Sequence, residues 1–250
     1  MVPRFEVIGI DGLGEIRPGD DLAGLIAEAA RRQGSPLRPG DLLVVGQKVV
    51  SKAEGRLIHL DEVTPSPAAL GMAAALDRDP RLLEVILRES RRIVRMDRGV
   101  LITETHHGWV CANAGVDQSN VERDWVALLP EDPDRSARRL RDALREGAGV
   151  DVAVIIADTF GRPWREGLTN VALGVSGLQP LRSYLGERDP AGHLLQATIL
   201  AVADEVAGAA ELVMGKLARI PVAVVRGLGW TPGEEGSKPL RRDPARDLFR

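Results

Sequence analysis

Short apolar runs bounded by glycine, proline or charged residues recur along the chain and predict strands. The predicted strands are residues 5–10, 42–45, 93–96, 100–103, 109–112, 152–157 and 221–225. The runs at 42–45 and 152–157 are continuously apolar, which is typical of strands buried on both faces of a sheet. We predict that the second of these two strands ends abruptly at Asp158.

Apolar residues at helical spacing predict helices between the strands. After a turn at residues 18–21, Leu22, Leu25, Ile26 and Ala29 recur on one face of a helix. Further helices are predicted at residues 68–76, 81–90, 136–145 and 201–214. Together the strands and helices predict a mixed α/β (α+β) fold.

The chain reads as one domain over residues 1–250, because it has no internal repeat, low-complexity tract or clear linker. A glycine-rich segment at about 160–192 is the best candidate for an insertion or a smaller subdomain. The tail from Thr231 onward is polar and charged, and we expect it to close against the body of the protein or against a partner.

Composition excludes several classes of protein. Hydrophobic residues make up 44% and charged residues 28% of the chain, with a net charge of -3, so neither a nucleic-acid partner nor a basic membrane-binding patch is expected. The single cysteine, Cys111, excludes a disulfide framework and favours a reducing compartment. No apolar run approaches the roughly 20 residues of a membrane helix. We therefore predict a soluble, cytoplasmic protein.

Lysine is rare in this chain, and nearly all other cationic side chains are arginine. The lysines are Lys48, Lys52, Lys216 and Lys238. A lysine places a compact point charge against a phosphate oxygen, whereas an arginine presents a planar fork. Lys48 and Lys52 follow the predicted strand at 42–45, where phosphate groups often bind. Chance under a biased composition is the alternative interpretation.

An oxygen-rich loop follows the predicted strand at 109–112. Residues 113–120 read Asn-Ala-Gly-Val-Asp-Gln-Ser-Asn. The carboxylate of Asp117 could bind a hard cation, and the neighbouring amides could contact phosphate, ribose or base. The alternative is a turn in which these side chains bond their own backbone.

A second pair of oxygen ligands follows the predicted strand at 152–157. Asp158 could bind Mg²⁺ or Mn²⁺ with Thr159 beside it, and Arg162 and Arg165 could clamp phosphate. The alternative is a helix N-cap. Two such strand ends in one chain favour a metal–phosphate site.

Known phosphate-binding fingerprints are absent. Residues 46–55 lack the Gly-x-x-x-x-Gly-Lys-Ser/Thr pattern, and the early glycines lack dinucleotide-binding spacing. Met214-Gly215-Lys216 closes an apolar helix, where the glycine is equally an ordinary terminator.

Other reactive or aromatic side chains favour structural roles. His106 and His107 lie in a predicted hairpin turn without a metal-spaced partner, and Cys111 is expected to be a small buried residue and not a nucleophile. Trp164 and Trp230 could stack on a planar ring or could belong to the core.

Taken together, the motifs resemble the coenzyme F420:L-glutamate ligases (gamma-glutamyl ligases) over nearly the whole chain. The motifs are residues 13–16 (Leu-Gly-Glu-Ile), 51–55 (Ser-Lys-Ala-Glu-Gly), 113–120, 158–162 (Asp-Thr-Phe-Gly-Arg) and 224–227 (Val-Val-Arg-Gly). The combination of 51–55 with 113–120 is the specific part. The chain resembles the stand-alone form of the family and not the form fused to a nitroreductase-like domain.

The resemblance implies an activity. These ligases join L-glutamate to the deazaflavin precursor F420-0, using GTP and releasing GDP and phosphate, and further gamma-linked glutamates can follow. An acyl phosphate would form on the precursor carboxylate, and the glutamate amine would attack it. Mg²⁺ or Mn²⁺ is the implied cofactor, with K⁺ as a further candidate. The implied fold is an intertwined homodimer with its site in a groove near the subunit interface.

The resemblance also implies site residues. Asp117, Asp158 and Lys52 would be catalytic, and Asp117, Asp158 and Thr159 would bind metal. The implied nucleotide contacts are Leu13, Gly14, Glu15, Ile16, Gln47, Lys48, Lys52, Asn120, Met214, Gly215, Lys216, Leu217, Ala218, Arg219 and Ile220.

One position departs from the family pattern, because archaeal members carry an acidic residue, resembling a ligand for a further metal, where this chain has Lys216. Two other classes of function stay open: another metal-dependent nucleotide enzyme, such as a kinase or phosphohydrolase, and a non-catalytic nucleotide or deazaflavin carrier.

Overall fold

The structure is a computed structural model that describes residues 3–247. Its strands are β1 (Glu6–Ile10), β2 (Leu42–Gly46), β3 (Leu57–His59), β4 (Ser90–Asp97), β5 (Val100–Thr105), β6 (Val110–Ala112), β7 (Trp125–Ala127), β8 (Ala153–Arg162), β9 (Arg165–Ser176), β10 (Arg182–Ser183), β11 (Ile199–Leu200) and β12 (Val222–Arg226). Its α-helices are α1 (Leu22–Arg32), α2 (Gln47–Ala53), α3 (Pro67–Leu76), α4 (Pro80–Arg88), α5 (Pro133–Ala148) and α6 (Val202–Met214). The predicted mixed α/β class is confirmed.

A five-stranded sheet with the order β1-β12-β2-β8-β9 organises the main body. β2 and β8 run parallel, with Gly46 opposite Ala157, and every other pair in the sheet is antiparallel. The carboxyl ends of β2 and β8 therefore meet at one edge, and the amino end of β12 lies at the same edge. Residues that are distant in sequence come together there.

Helices cover both faces of this sheet. On one face α1 and α5 pack against the apolar side chains of β2 and β8 that include Val45 and Ile156. On the other face α6 packs against Val44 and Ile155. Burial on both faces explains the continuously apolar sequences of β2 and β8.

A second apolar core lies among α3, α4, β5 and β7, and Leu83, Ile86, Leu101 and Val126 are fully buried in it. Around it lie the three-stranded sheet β4-β5-β6 and the pair β3-β7. The loop at 113–120 leaves β6 from this part of the protein and reaches the edge of the main sheet.

The prediction that the strand at 152–157 ends at Asp158 is wrong. β8 continues to Arg162, because Asp158 pairs with Val171 of β9. β2 ends opposite Ala157, so the continuation of β8 has a strand neighbour on one side only. Asp158 is consequently a strand residue at the open edge and does not cap a helix.

Other boundaries also differ from the predictions. Residues 47–53 form α2 directly after β2, and the predicted helix at 81–90 ends at Arg88 because Ser90 begins β4. Within the segment 160–192, residues up to Ser176 belong to the β8–β9 hairpin of the main sheet.

The polar tail packs against the body, as predicted. Ser237 is buried and donates from its backbone N–H and its hydroxyl to the carboxylate of Asp134. Glu234 forms an ion pair with Arg141 of α5. In the described part of the chain, no helix is long and apolar enough to cross a membrane.

Candidate functional site

A cavity of about 730 Å³ opens at the edge where β2 ends beside residues 157–159 of β8. Four parts of the chain form its walls: residues 11–16, the start of α2 with Lys52, residues 120–122, and residues 214–216 and 219–221 at and after the end of α6. Asp158 and Thr159 of β8 lie between them. The cavity thus combines the predicted phosphate-binding and metal-binding segments.

The loop at 13–16 is anchored by two apolar side chains. Leu13 and Ile16 are buried in the core beneath α1, which leaves the backbone of Gly14 and the side chain of Glu15 at the cavity. Gly12 and Gly14 both have positive φ, 77° and 75°, which side chains other than glycine rarely adopt. Glu15 forms an ion pair with Lys52.

Gln47 lines the cavity and has a buried amide. Its side chain is 1% exposed, and its Oε1 accepts a hydrogen bond of 2.9 Å from the Ser51 hydroxyl. Within residues 3–247 its Nε2 has no hydrogen-bond partner. An unpaired buried donor costs about 1–3 kcal/mol, so an acceptor on a bound ligand would stabilise this side chain.

Asp117 is neutralised by a lysine. Its Oδ2 lies 2.7 Å from Lys48 Nζ, and its Oδ1 accepts a 2.6 Å hydrogen bond from the backbone N–H of Ser119. Burial raises the pKa of Asp117, but the bonds from Lys48 and Ser119 outweigh it and hold the pKa below its ordinary value. The loop is therefore both the turn and the charged site that its sequence indicates.

The backbone of this loop requires glycine at position 115. Asn113, Ala114 and Gly115 all have positive φ, and a Cβ on Gly115 would lie 2.7 Å from the Leu129 side chain. After the turn, the backbone of Asp117 forms two hydrogen bonds with the backbone of Ala127, the last residue of β7. This pairing fixes the carboxylate behind Lys48.

Asp158 has the opposite electrostatic environment. Burial and, to a smaller extent, the charge of Asp117 raise its pKa to about 6, although the backbone N–H of Thr159 and the charges of Lys48 and Lys216 oppose the shift. A carboxylate with so high a pKa lacks sufficient positive charge nearby. A cation bound in the cavity would supply that charge.

Thr159 belongs to a ring of four hydrogen-bonded side chains. Its hydroxyl donates to Asn170 Oδ1 at 2.7 Å, and Asn170 Nδ2 donates to Glu211 Oε2 at 2.9 Å. Lys216 Nζ lies 3.0 Å from Glu211 Oε1 and also donates to the Thr159 hydroxyl. Asn170 and Glu211 line the cavity, and the sequence reasoning missed both. The available signal for Asn170 was a polar residue directly before the apolar run 171–173 of β9.

Several predicted site residues do not line this cavity. Leu217 and Ala218 are outside it, and Leu217 is 94% exposed. Asp117 does not line the cavity but is ion-paired with Lys48, which does. The guanidinium of Arg162 binds the backbone carbonyls of Glu166 and Gly167 in the β8–β9 turn and does not face the cavity.

The other candidate side chains have structural surroundings. Cys111 is buried, as predicted, and burial followed by the charge of Asp158 raises its pKa to about 12, so the thiol stays protonated. His106 and His107 lie in the turn after β5, and their Nε2 atoms bond to backbone carbonyls. Trp230 lines a separate cavity of about 610 Å³, and Trp164 is 76% exposed.

The residues present fit a metal bound together with phosphate. In the part of the chain that the structure describes, no group of three or more His, Cys, Asp or Glu side chains could hold a metal ion. Mg²⁺, however, keeps several waters and binds through one or two carboxylates and substrate phosphates. Asp117, Asp158 and the Thr159 hydroxyl match that donor set, and the high pKa of Asp158 favours a nearby cation.

Fold and site define an α/β protein with a charged cavity at the carboxyl ends of parallel strands. A family model described as F420-0:Gamma-glutamyl ligase matches residues 12–227. The chain is 46% identical over 249 residues to a coenzyme F420:L-glutamate ligase of Methanothermobacter thermautotrophicus, covering 98% of this chain and 99% of that one. It is 52% identical over 241 residues to a coenzyme F420:L-glutamate ligase of Methanopyrus kandleri, covering 94% of each. The chain belongs to the F420-0:gamma-glutamyl ligase family.

Proposed function

We propose that this protein ligates L-glutamate to F420-0 in a GTP-dependent, metal-dependent reaction that passes through an acyl phosphate. The observation that carries the proposal is a cavity lined by Lys48, Lys52, Lys216 and Asp158, with Asp117 paired to Lys48 at its wall. The names of the full-length relatives support the substrate pair.

The lysines suit a polyphosphate. Lys52 has an 11% exposed side chain held by Glu15, so its ammonium is fixed at the cavity wall. Lys48 and Lys216 approach from α2 and from the end of α6. Three point charges on separate elements can bind a triphosphate that carries several negative charges.

Asp117 and Asp158, with Thr159, would hold the metal. When bound, it would neutralise phosphate charge and align the reacting oxygens. In the first step a carboxylate oxygen of the precursor attacks the γ-phosphorus, and GDP leaves. In the second step the glutamate amine attacks the acyl carbon, phosphate leaves, and the amine loses a proton.

A homodimer forms part of the proposal. Residues 182–200, which carry β10 and β11, are called the arm here. Large apolar side chains are exposed along this arm, and clustered exposed apolar surface marks an interaction site. These are Leu185, Leu194, Ile199 and Leu200. The arm is the expected contact with a second copy of the chain, and light scattering of the wild type and of Leu194→Glu measures its contribution.

The test is a complete reaction followed by mass spectrometry. Incubation with F420-0, GTP, L-glutamate and Mn²⁺ should give a product heavier by one or more glutamyl residues, with one GDP released per amide bond. A phosphorylated product without glutamate would indicate a kinase, and phosphate release without an amide would indicate a phosphohydrolase. Binding without phosphate release would indicate a carrier. Asp158→Asn is the inactive control.

A further inference from the structure

The side chain of Glu211 determines the direction of the hydrogen bonds that reach Thr159. A carboxylate only accepts hydrogen bonds, so the group of Asn170 that faces Glu211 must be its NH₂. The Asn170 oxygen therefore faces Thr159 and accepts a hydrogen bond from its hydroxyl, with 2.7 Å between Thr159 Oγ1 and Asn170 Oδ1. The Thr159 oxygen has two lone pairs, of which one accepts the hydrogen bond from Lys216 and the other is left for a ligand in the cavity.

The middle member of these hydrogen bonds is buried. Asn170 is 4% exposed on β9, where α6 packs against that strand. The Glu211 side chain is 22% exposed. The amide of Asn170 therefore depends on Thr159 and Glu211 for its hydrogen bonds.

Glu211 uses its two oxygens for two separate tasks. Oε2 accepts from Asn170 at 2.9 Å, and Oε1 lies 3.0 Å from the ammonium of Lys216, which also donates to the Thr159 hydroxyl. The Glu211 carboxylate thus orients the Thr159 hydroxyl through Asn170 and holds the ammonium of Lys216 beside that hydroxyl.

We propose that Glu211 is a positioning residue that, through Asn170 and Lys216, keeps one lone pair of Thr159 and a fixed positive charge available to the phosphate–metal site. The inference rests on the proposed function, because it assigns Glu211 to the binding of a metal–nucleotide complex. Glu211 need not touch the substrate.

A glutamine at this position separates the two tasks. Glutamine has one acceptor oxygen, so Glu211→Gln can keep the bond from Asn170 or the contact with Lys216, but not both. Loss of an outer hydrogen-bond partner of a metal ligand typically costs 10–100-fold in metal affinity or activity. We expect Glu211→Gln to weaken Mn²⁺ binding in the presence of GDP by roughly 10–100-fold. Glu205→Gln, an exposed position on the same helix, is the matched control.

The experiment measures Mn²⁺ and GDP binding by calorimetry and electron paramagnetic resonance, without turnover. It compares the wild type, Glu205→Gln, Glu211→Gln, Thr159→Val and the double variant, with a thermal melt of each. The proposal expects Glu211→Gln to melt at the wild-type temperature and to bind Mn²⁺ more weakly. On the Thr159→Val background the same change should have a smaller effect, because only the route through Lys216 remains. Unchanged binding in Glu211→Gln, or fully additive effects in the double variant, would overturn it. A wild type that binds no Mn²⁺–GDP would instead refute the proposed function.

Discussion

Lys48 Nζ lies 2.7 Å from Asp117 Oδ2, whereas the carboxylate of Asp158, further into the cavity, has no lysine in contact with it among the described residues. The two carboxylates interact, because the charge of Asp117 raises the pKa of Asp158. One is thus held ionised by its own cation, and the other gains stability only when a cation arrives. This asymmetry makes their substitutions distinguishable.

Asp117→Asn and Asp158→Asn are each expected to abolish glutamylation and to leave the fold intact. An amide in place of either carboxylate removes a negative charge from a site for a hard cation. Mass spectrometry of the product and thermal melting of both variants provide the measurement. Near-wild-type turnover of either variant at saturating Mn²⁺ would reject the ligand role of that residue.

The same Asp158→Asn variant should be more stable than the wild type in the absence of metal. The pKa of Asp158 rises from 3.8 to about 6 on folding, so the folded state binds the proton more tightly and stability decreases as the pH rises through this window. Above it the ionised side chain costs up to about 3 kcal/mol.

Thermal melts of the metal-free wild type and of metal-free Asp158→Asn at a series of pH values test whether stability decreases as the pH rises. The wild type should lose stability between roughly pH 4 and pH 6, and the variant should lose less. Mn²⁺ should raise the melting temperature of the wild type more than that of the variant. A variant that melts below the metal-free wild type at neutral pH would contradict the electrostatic argument.

Lys52→Ala is expected to raise the Michaelis constant for GTP, lower turnover, or both. A hydrogen bond to a charged group contributes about 1.5–3 kcal/mol, which corresponds to a change of roughly 10–100-fold. Lys52→Arg should rescue only in part, because a planar fork replaces a point charge. Lys238→Ala, outside the cavity, is the control. If steady-state kinetics give Lys52→Ala the same Michaelis constant for GTP and the same turnover as the wild type, Lys52 does not contact phosphate.

Local sequence patterns predicted most of the fold. The continuous apolar runs of β2 and β8 and the helical spacing from Leu22 to Ala29 each specify one element, and the structure contains all of them. The prediction that the strand ends at Asp158 failed for a physical reason. Its polarity suggested a strand end, but pairing with Val171 of β9 carries the strand onward, and that pairing is a long-range property.

Long-range contacts also explain what was missed in the site. Asn170 and Glu211 are 41 residues apart, and only the approach of α6 to β9 joins them. Neither belongs to a motif that indicates a site. Leu217 and Ala218 were assigned to the site because the resemblance implies the whole segment 214–220, and neither of them lines the cavity.

The last prediction concerns the number of metal ions. The ammonium of Lys216 does not simply point to solvent, because it contacts both Thr159 and Glu211 at the cavity wall. An ammonium has donors but no lone pair, so it cannot bind a metal and instead occupies a position of positive charge beside Thr159. We therefore expect a GDP complex to hold one fully occupied divalent ion, near Asp117 and Asp158, with Lys216 supplying the charge of a second. Manganese anomalous scattering from crystals of that complex counts the ions directly. A second fully occupied manganese beside residue 216 would show that the lysine moves aside and replaces no cation.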